Sequence, residues 1–135
     1  MLTGGTKRDA AGCYFTPTVL TNVASDSLLC HEETFGPVAG LVRFGSEQEA
    51  IALANDSRAG LAAYVFTRDL SRAHRVSEAL EYGMVGLNTV MITTEVAPFG
   101  GIKDSGLGRE GSFYGLDDYL DLKLISTHVQ EGPTF

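Results

Sequence analysis

Apolar residues run through this chain in short blocks whose spacing switches between the period of a strand and that of a helix. Residues 14–23, YFTPTVLTNV, are aromatic and β-branched, which predicts extended backbone. Pro17 inside the run places it at an edge or a bulge, and Ser25-Asp26-Ser27 after it predicts a turn. Residues 38–44, VAGLVRF, predict a strand behind the Gly36-Pro37 break. Residues 46–55 predict a helix: Ser46 and Glu49 have capping-box spacing, and Ala50, Leu53, Ala54 and Ser57 share one face, with Gly60 as the stop. Residues 61–66, LAAYVF, form a continuous apolar run and predict a strand covered on both faces. Residues 70–82 predict a second helix, with Leu70, Ala73, Val76 and Leu80 inward and Gly83 at the C-cap. Residues 84–88, MVGLN, predict another strand. Strands alternating with helices in this way predict βαβ units, a parallel sheet and right-handed crossovers, hence the α/β class. Residues 112–119 predict a short helix, 120–127 (LDLKLIST) a strand with one wet face, and 129–135 a tail.

One stretch breaks this rhythm. Residues 97–111, APFGGIKDSGLGREG, hold five glycines in 15 residues. So little side-chain bulk suits neither helix nor strand and predicts a shaped loop of the kind that carries function. Its end, Gly106 to Gly111, satisfies G-x-G-x-x-G. A dinucleotide-binding turn needs a buried strand before it and a βαβ unit around it. Here GGIKDS precedes it, no βαβ unit follows, and the acidic residue at the right interval, Glu131, falls in the tail. The glycines are read as permitting a tightly packed loop.

Composition narrows the partners. The chain has 135 residues, one domain's worth, and at this size roughly two-thirds of the unfolded surface is expected to be buried. The net charge of −7 argues against nucleic acid and against an anionic membrane as partners. No apolar run approaches the ~20 residues of a membrane span, and the first residues show neither the basic start nor the apolar core of a secretory leader. Cys13 and Cys30 form no CxxC, and Cys30-His31 lie far in sequence from His74 and His128, so no metal site is expected and both cysteines read as small hydrophobes. A reducing, cytoplasmic compartment follows as the expectation.

Other residues offer only partial chemistry. Glu32 and Glu33 are adjacent in an extended segment and point to opposite faces, so they are not an acid–base pair. Thr93-Thr94-Glu95 brings hydroxyls and a carboxylate into a polar loop. No nucleophile elbow and no phosphate loop is present. From the residues alone this is an α/β domain with one suspicious loop and no complete active site.

Three segments in this order carry a resemblance. HEETFGPV at 31–38, GLNTVMITTEVAPFGGIKDSGLGREG at 86–111 and YGLDDYLDLK at 114–123 resemble the C-terminal part of the aldehyde dehydrogenase superfamily, in particular the NAD(P)-dependent succinate-semialdehyde dehydrogenases. The likeness begins at LTGG and covers nearly the whole chain. It implies the C-terminal part of the catalytic domain, a parallel sheet with flanking helices at 1–119, and an oligomerisation-arm strand and tail at 120–135. It also implies an aldehyde substrate, NAD or NADP as cofactor, and a homo-oligomer.

The resemblance assigns roles by position. Glu33 falls where the family holds the nicotinamide ribose, a vicinal diol that suits a carboxylate acceptor. Phe35 matches an aromatic beside the nicotinamide, and Phe99 one on the wall of the aldehyde tunnel. Thr93 stands where semialdehyde enzymes offer a hydroxyl, usually from Ser, to the substrate's distal carboxylate. Glu110 matches a glutamate of a charge relay. The family's nucleophilic Cys, general-base Glu, oxyanion Asn and dinucleotide-binding fold belong upstream of LTGG, and neither Cys13 nor Cys30 sits in the nucleophile's motif. The 135 residues alone are therefore expected to be inactive, and Met1, inside an expected strand, reads as a truncation point. The alternative from another class is a non-catalytic module that docks on a full-length relative through its sheet edge and terminal strand.

Overall fold

The computed structural model describes residues 1–9, 11–129 and 132. Strand β1 (Thr18–Thr21) leads through a turn and the one-turn helix α1 (Leu28–His31) to β2 (Val38–Leu41). Helix α2 (Glu47–Asn55) follows, then β3 (Ala59–Gly60), β4 (Ala62–Val65), helix α3 (Leu70–Ala79) and β5 (Met84–Leu87). Beyond the glycine-rich stretch come β6 (Ile102–Lys103) and a 3-10 helix (Tyr114–Tyr119). β1 pairs parallel with β2, Thr18 opposite Val38, and β4 pairs parallel with β5, Ala62 opposite Met84. β3 pairs antiparallel with β6, Gly60 opposite Ile102.

The parallel pairing and the β4–α3–β5 unit agree with the sequence. The single sheet does not form: the described strands make three separate two-stranded pairs. Pairs of this size gain little stability by themselves, and no pairing among the described strands joins one pair to another. Nor is residues 61–66 a strand covered on both faces, since Tyr64 and Phe66 are exposed. Residues 120–127 form no strand, because an alternating segment without a partner ladder has nowhere to place its N–H and C=O groups but water. Leu122, Leu124 and Ile125 there are almost wholly exposed. Of the expected tail at 129–135, all but Val129 and Gly132 lies outside the described residues, as does Glu131.

The exposed area measures how incomplete the core is. A folded monomer of this mass is expected to expose about 6,800 Å², and this chain exposes 11063 Å². About half of the unfolded surface is buried rather than two-thirds. Among the described residues, the apolar side chains that become buried are Ala73 and Leu80, and none is wholly sealed from solvent. Both lie on the expected inner face of α3, with Val76 half-buried beside them; Leu70, expected with them, is 72% exposed.

The helices are held at their ends by specific chemistry. Ser46 Oγ accepts from the Glu49 amide at 3.1 Å, while the Glu49 carboxylate reaches back to the Gly45 amide at 2.6 Å. Helix α2 ends at Asn55, where the sequence placed its end, and α3 ends at Ala79 rather than Tyr82. The reason is a cross-tie that sequence spacing does not show. Asn55 donates to the Ala79 carbonyl at 2.8 Å and accepts from the Glu81 amide at 2.9 Å, and the Tyr82 hydroxyl donates to the Ala54 carbonyl at 2.6 Å. The Lys103 ammonium then caps the negative end of α2, donating to the Asn55 carbonyl at 2.9 Å and the Ser57 carbonyl at 3.2 Å, with Glu81 as its ion pair at 2.7 Å. Gly83, expected as a C-cap, instead donates its amide to the Gly60 carbonyl at 2.9 Å on the way into β5.

At the start of α2, Glu47 takes two arginines of α3: Arg75 at 2.9 Å and Arg72 at 3.2 Å. The hydrogen bond from Arg75, and secondarily that from Arg72, holds the Glu47 carboxyl below the usual carboxylate range against the opposing effect of desolvation. A carboxyl with a lowered folded pKa stabilises the fold fully above its unfolded value, near 4.5, and loses that contribution as pH falls through the folded value. Glu47→Gln is therefore expected to flatten the acid limb of stability. Urea midpoints followed from about pH 6 to about pH 3 should fall less in the variant than in the unsubstituted chain. Parallel curves would show that the pair has no linked effect.

Candidate functional site

The glycine-rich stretch does form a shaped loop, and the positive φ angles explain its composition. Gly106, Gly108 and Gly111 have φ of 116°, 76° and 67°, and Lys103 and Ser112 also lie in the left-handed region. The loop leaves from Phe99 and returns at Glu110, whose backbones exchange two hydrogen bonds of 2.8 and 2.7 Å. Thus two residues singled out separately in the sequence, Phe99 and Glu110, become a cross-strand pair. They line one wall of an open pocket of about 540 Å³, together with Leu61, Leu107, Arg109 and Tyr119.

Two ties hold this loop to the scaffold, and a third closes it on itself. Ser105 Oγ accepts the Gly60 amide at 2.9 Å, which binds the loop to β3. Lys103 binds it to the end of α2 as described. The Arg109 guanidinium donates from one nitrogen to the Gly101 carbonyl at 2.8 Å and the Gly108 carbonyl at 2.7 Å. Sequence reasoning gave Lys103, Ser105 and Arg109 no role. The signal for them was their place as polar side chains among the glycines, groups able to supply contacts that glycines lack.

Thr93 lies at the edge of this arrangement rather than in the pocket lining. It is exposed, one residue before a turn in which the Ala97 amide donates to the Thr94 carbonyl at 3.3 Å. That turn packs on the loop's end, where the Ser112 amide donates to the Glu95 carbonyl at 2.9 Å. Upstream, Asn88 turns the chain out of β5. It has φ of 55°, and its side-chain amide pairs with both backbone groups of Thr67, at 2.8 and 2.9 Å, so a side chain continues the β4–β5 ladder by one step.

Glu33 and Phe35 are not brought to that pocket. Both are exposed, Phe35 by 94%, in the segment before β2, and neither lines the pocket that holds Phe99 and Glu110. No strand pairing joins the β1–β2 pair to β4–β5. For a dinucleotide the fit is partial. Glu33 and Phe35 present an acceptor and an aromatic face, as a ribose and its attached ring require. A phosphate cradle is not among the described residues: the G-x-G-x-x-G run closes the Phe99–Glu110 loop, and the helix after it is a six-residue 3-10 turn rather than the α-helix N-terminus such a cradle needs.

Neither cysteine is buried as a small hydrophobe would be, and neither lines that pocket. The Cys30 thiol donates to the Ala24 carbonyl at 3.6 Å and takes the Ser27 hydroxyl at 3.4 Å, and Cys13 is exposed away from the pocket. No group of three or more His, Cys, Asp or Glu among the described residues is arranged to hold a metal ion. No helix among them is long and apolar enough to cross a membrane.

Comparison with known proteins places this geometry in context. A family model described as the aldehyde dehydrogenase family matches residues 1–125. A mitochondrial succinate-semialdehyde dehydrogenase of Oryza sativa is 58% identical over 125 residues, 93% of this chain and 24% of that one. A 3-sulfolactaldehyde dehydrogenase of Pseudomonas putida is 55% identical over 125 residues, 93% of this chain and 26% of that one. A crystal structure of an NADP-dependent enzyme of Escherichia coli superposes with a TM-score of 0.86 at 57% identity, over 90% of this chain and 25% of that one. The chain thus spans about a quarter of the length of the curated relatives it matches.

Proposed function

Since this chain belongs to the aldehyde dehydrogenase family, we propose that it is the C-terminal portion of an NAD- or NADP-dependent enzyme that oxidises succinic semialdehyde to the dicarboxylic acid. The observation that carries the reading is the Phe99–Glu110 pair at the neck of the glycine-rich loop, which puts an aromatic wall and a carboxylate on one pocket. In this reading residues 1–119 are part of the catalytic domain and 120–135 the oligomerisation arm.

The chain's own residues then have these tasks. Phe99 bounds the path of the aldehyde and excludes water from it. Thr93 donates its hydroxyl to the substrate's distal carboxylate. Glu33 accepts from the two hydroxyls of the nicotinamide ribose, and Phe35 covers one side of the nicotinamide. The cofactor supplies a hydride acceptor when bound. Glu110 acts at a distance, through a relay to a general base outside these residues. The names of the relatives support an anionic far end on the substrate, since succinic semialdehyde carries a carboxylate and 3-sulfolactaldehyde a sulfonate.

The test is a chimera in which residues 1–125 replace the matching quarter of a full-length succinate-semialdehyde dehydrogenase. Thr93→Val in that enzyme is expected to raise KM for succinic semialdehyde about tenfold, the loss of one hydrogen bond to a charged group. KM for an uncharged aldehyde of equal length should hold. An equal change for both aldehydes would remove Thr93 from substrate recognition.

A second reading is favoured by the exposed apolar terminal segment: a module that docks on an intact relative. Leu122, Leu124 and Ile125 are bare, and such a segment gains both hydrogen bonds and burial by adding to another sheet. On size-exclusion the chain is expected to self-associate, and removal of residues 120–135 to abolish this. Co-elution with an intact dehydrogenase rather than with itself would support the docking module.

A further inference from the structure

The YGLDDY segment contributes a residue for which neither the pocket reading nor the loop's composition accounts. Asp118 lies in the 3-10 helix, and its carboxylate accepts the Arg109 amide at 3.3 Å. The same carboxylate occupies the space beside Gly108 in which a Cβ would otherwise sit. Gly108 is left-handed, with φ of 76°, and this conformation aims the next amide at Asp118 and its own carbonyl at the Arg109 guanidinium. Arg109 in turn reaches the Gly101 carbonyl on the outgoing arm.

These contacts form a latch immediately beside Glu110. The loop contains five left-handed residues between 103 and 112, each of which has alternatives open to it in solution. Glycines in particular lose most conformational freedom when ordered. Two backbone bonds between Phe99 and Glu110 join the arms only at the neck. The rest must be fixed from outside, and Asp118 meets the loop at its most permissive point.

We infer that Asp118 is a positioning residue for the pocket: its carboxylate fills the volume that Gly108 leaves, fixes the Arg109 amide, and so sets the separation of the two loop arms that carry Phe99 and Glu110. This rests on reading the loop as the wall of an aldehyde pocket, but its test does not need turnover.

Amide hydrogen exchange on the 135-residue chain reads the latch directly. Asp118→Ala is expected to speed exchange at Phe99 and Glu110 about tenfold, while the amides of Ala73 and Asn88, in α3 and beyond β5, keep their rates. Asp118→Asn retains an acceptor oxygen and should stay within about threefold of the unsubstituted chain. Gly108→Ala, which leaves Asp118 in the sequence but expels its carboxylate, should reproduce the local acceleration. Unchanged rates at Glu110 in Asp118→Ala would overturn the inference. So would acceleration spread over all amides in both Asp118→Ala and Gly108→Ala, or Asp118→Asn as damaging as Asp118→Ala. A result in favour stands whether or not the chimera oxidises a semialdehyde, and the chimera's failure leaves it intact.

Discussion

Given succinic semialdehyde with NAD or NADP, the purified 135-residue chain is expected to form no reduced nicotinamide above the uncatalysed background. A complete enzyme accelerates its reaction by at least about 10⁶-fold, and in the proposed reading the residues here hold only the periphery of that machinery. Covalent aldehyde oxidation needs a thiolate within reach of the carbonyl carbon and donors aimed at the developing oxyanion. The Cys30 thiol is committed to the Ala24 carbonyl, and Cys13 lies outside the pocket that holds Phe99. Cofactor affinity should be correspondingly weak, since the single ribose contact proposed for Glu33 does not replace a phosphate cradle. Ultraviolet absorbance of the reduced nicotinamide is the measurement. Sustained turnover that survives further purification would sink the reading of this chain as a non-catalytic portion.

The second large effect is structural. Gly83→Ala is expected to cost about 2–4 kcal/mol, a sizeable share of the total stability of a domain this size. The glycine enters β5 where the loop crosses it. A Cβ there would land on the Gly100 carbonyl oxygen and come within 2.8 Å of the Gly101 Cα. Both are backbone atoms, so relief requires the loop to move as a unit away from β5. That motion would strain the Ser105 tie to Gly60 and the β3–β6 pairing. Urea unfolding measures the loss. Gly36→Ala is the control, because a Cβ there meets only the Thr34 methyl at 3.9 Å; it should change stability by less than about 0.5 kcal/mol. Equal effects at the two positions would mean that the loop does not press on β5 in solution.

Much of the local structure follows from short-range rules. The helix start at Ser46 is a cap, visible as an oxygen-bearing side chain before a periodic run; Asp69, given no such role in the sequence, caps α3 in the same way and accepts the Arg72 amide at 3.0 Å. The parallel β4–β5 pair follows from the strand–helix–strand order. The end of α3 was not legible, because Asn55 and Tyr82 act across 24 to 28 residues of sequence. The separate strand pairs and the unpaired segment at 120–127 have a different cause. Alternating and apolar patterns state what a segment requires beside it, and here the partners are not among the described residues.

By itself the sequence determined the family, the longer strands and helices from β1 to β5, and the presence of a loop whose glycines tolerate left-handed backbone. These rest on local chemistry, since φ preference, capping and periodicity act within a few residues. Only the tertiary structure decided that Phe99 faces Glu110 as a strand pair, that Arg109 and Asp118 close the loop behind them, and that Glu33 and Phe35 stand apart from that pocket. Those facts depend on where the chain returns in space, and the return is set by backbone hydrogen bonds and ties such as Ser105 to Gly60 between residues far apart in the sequence.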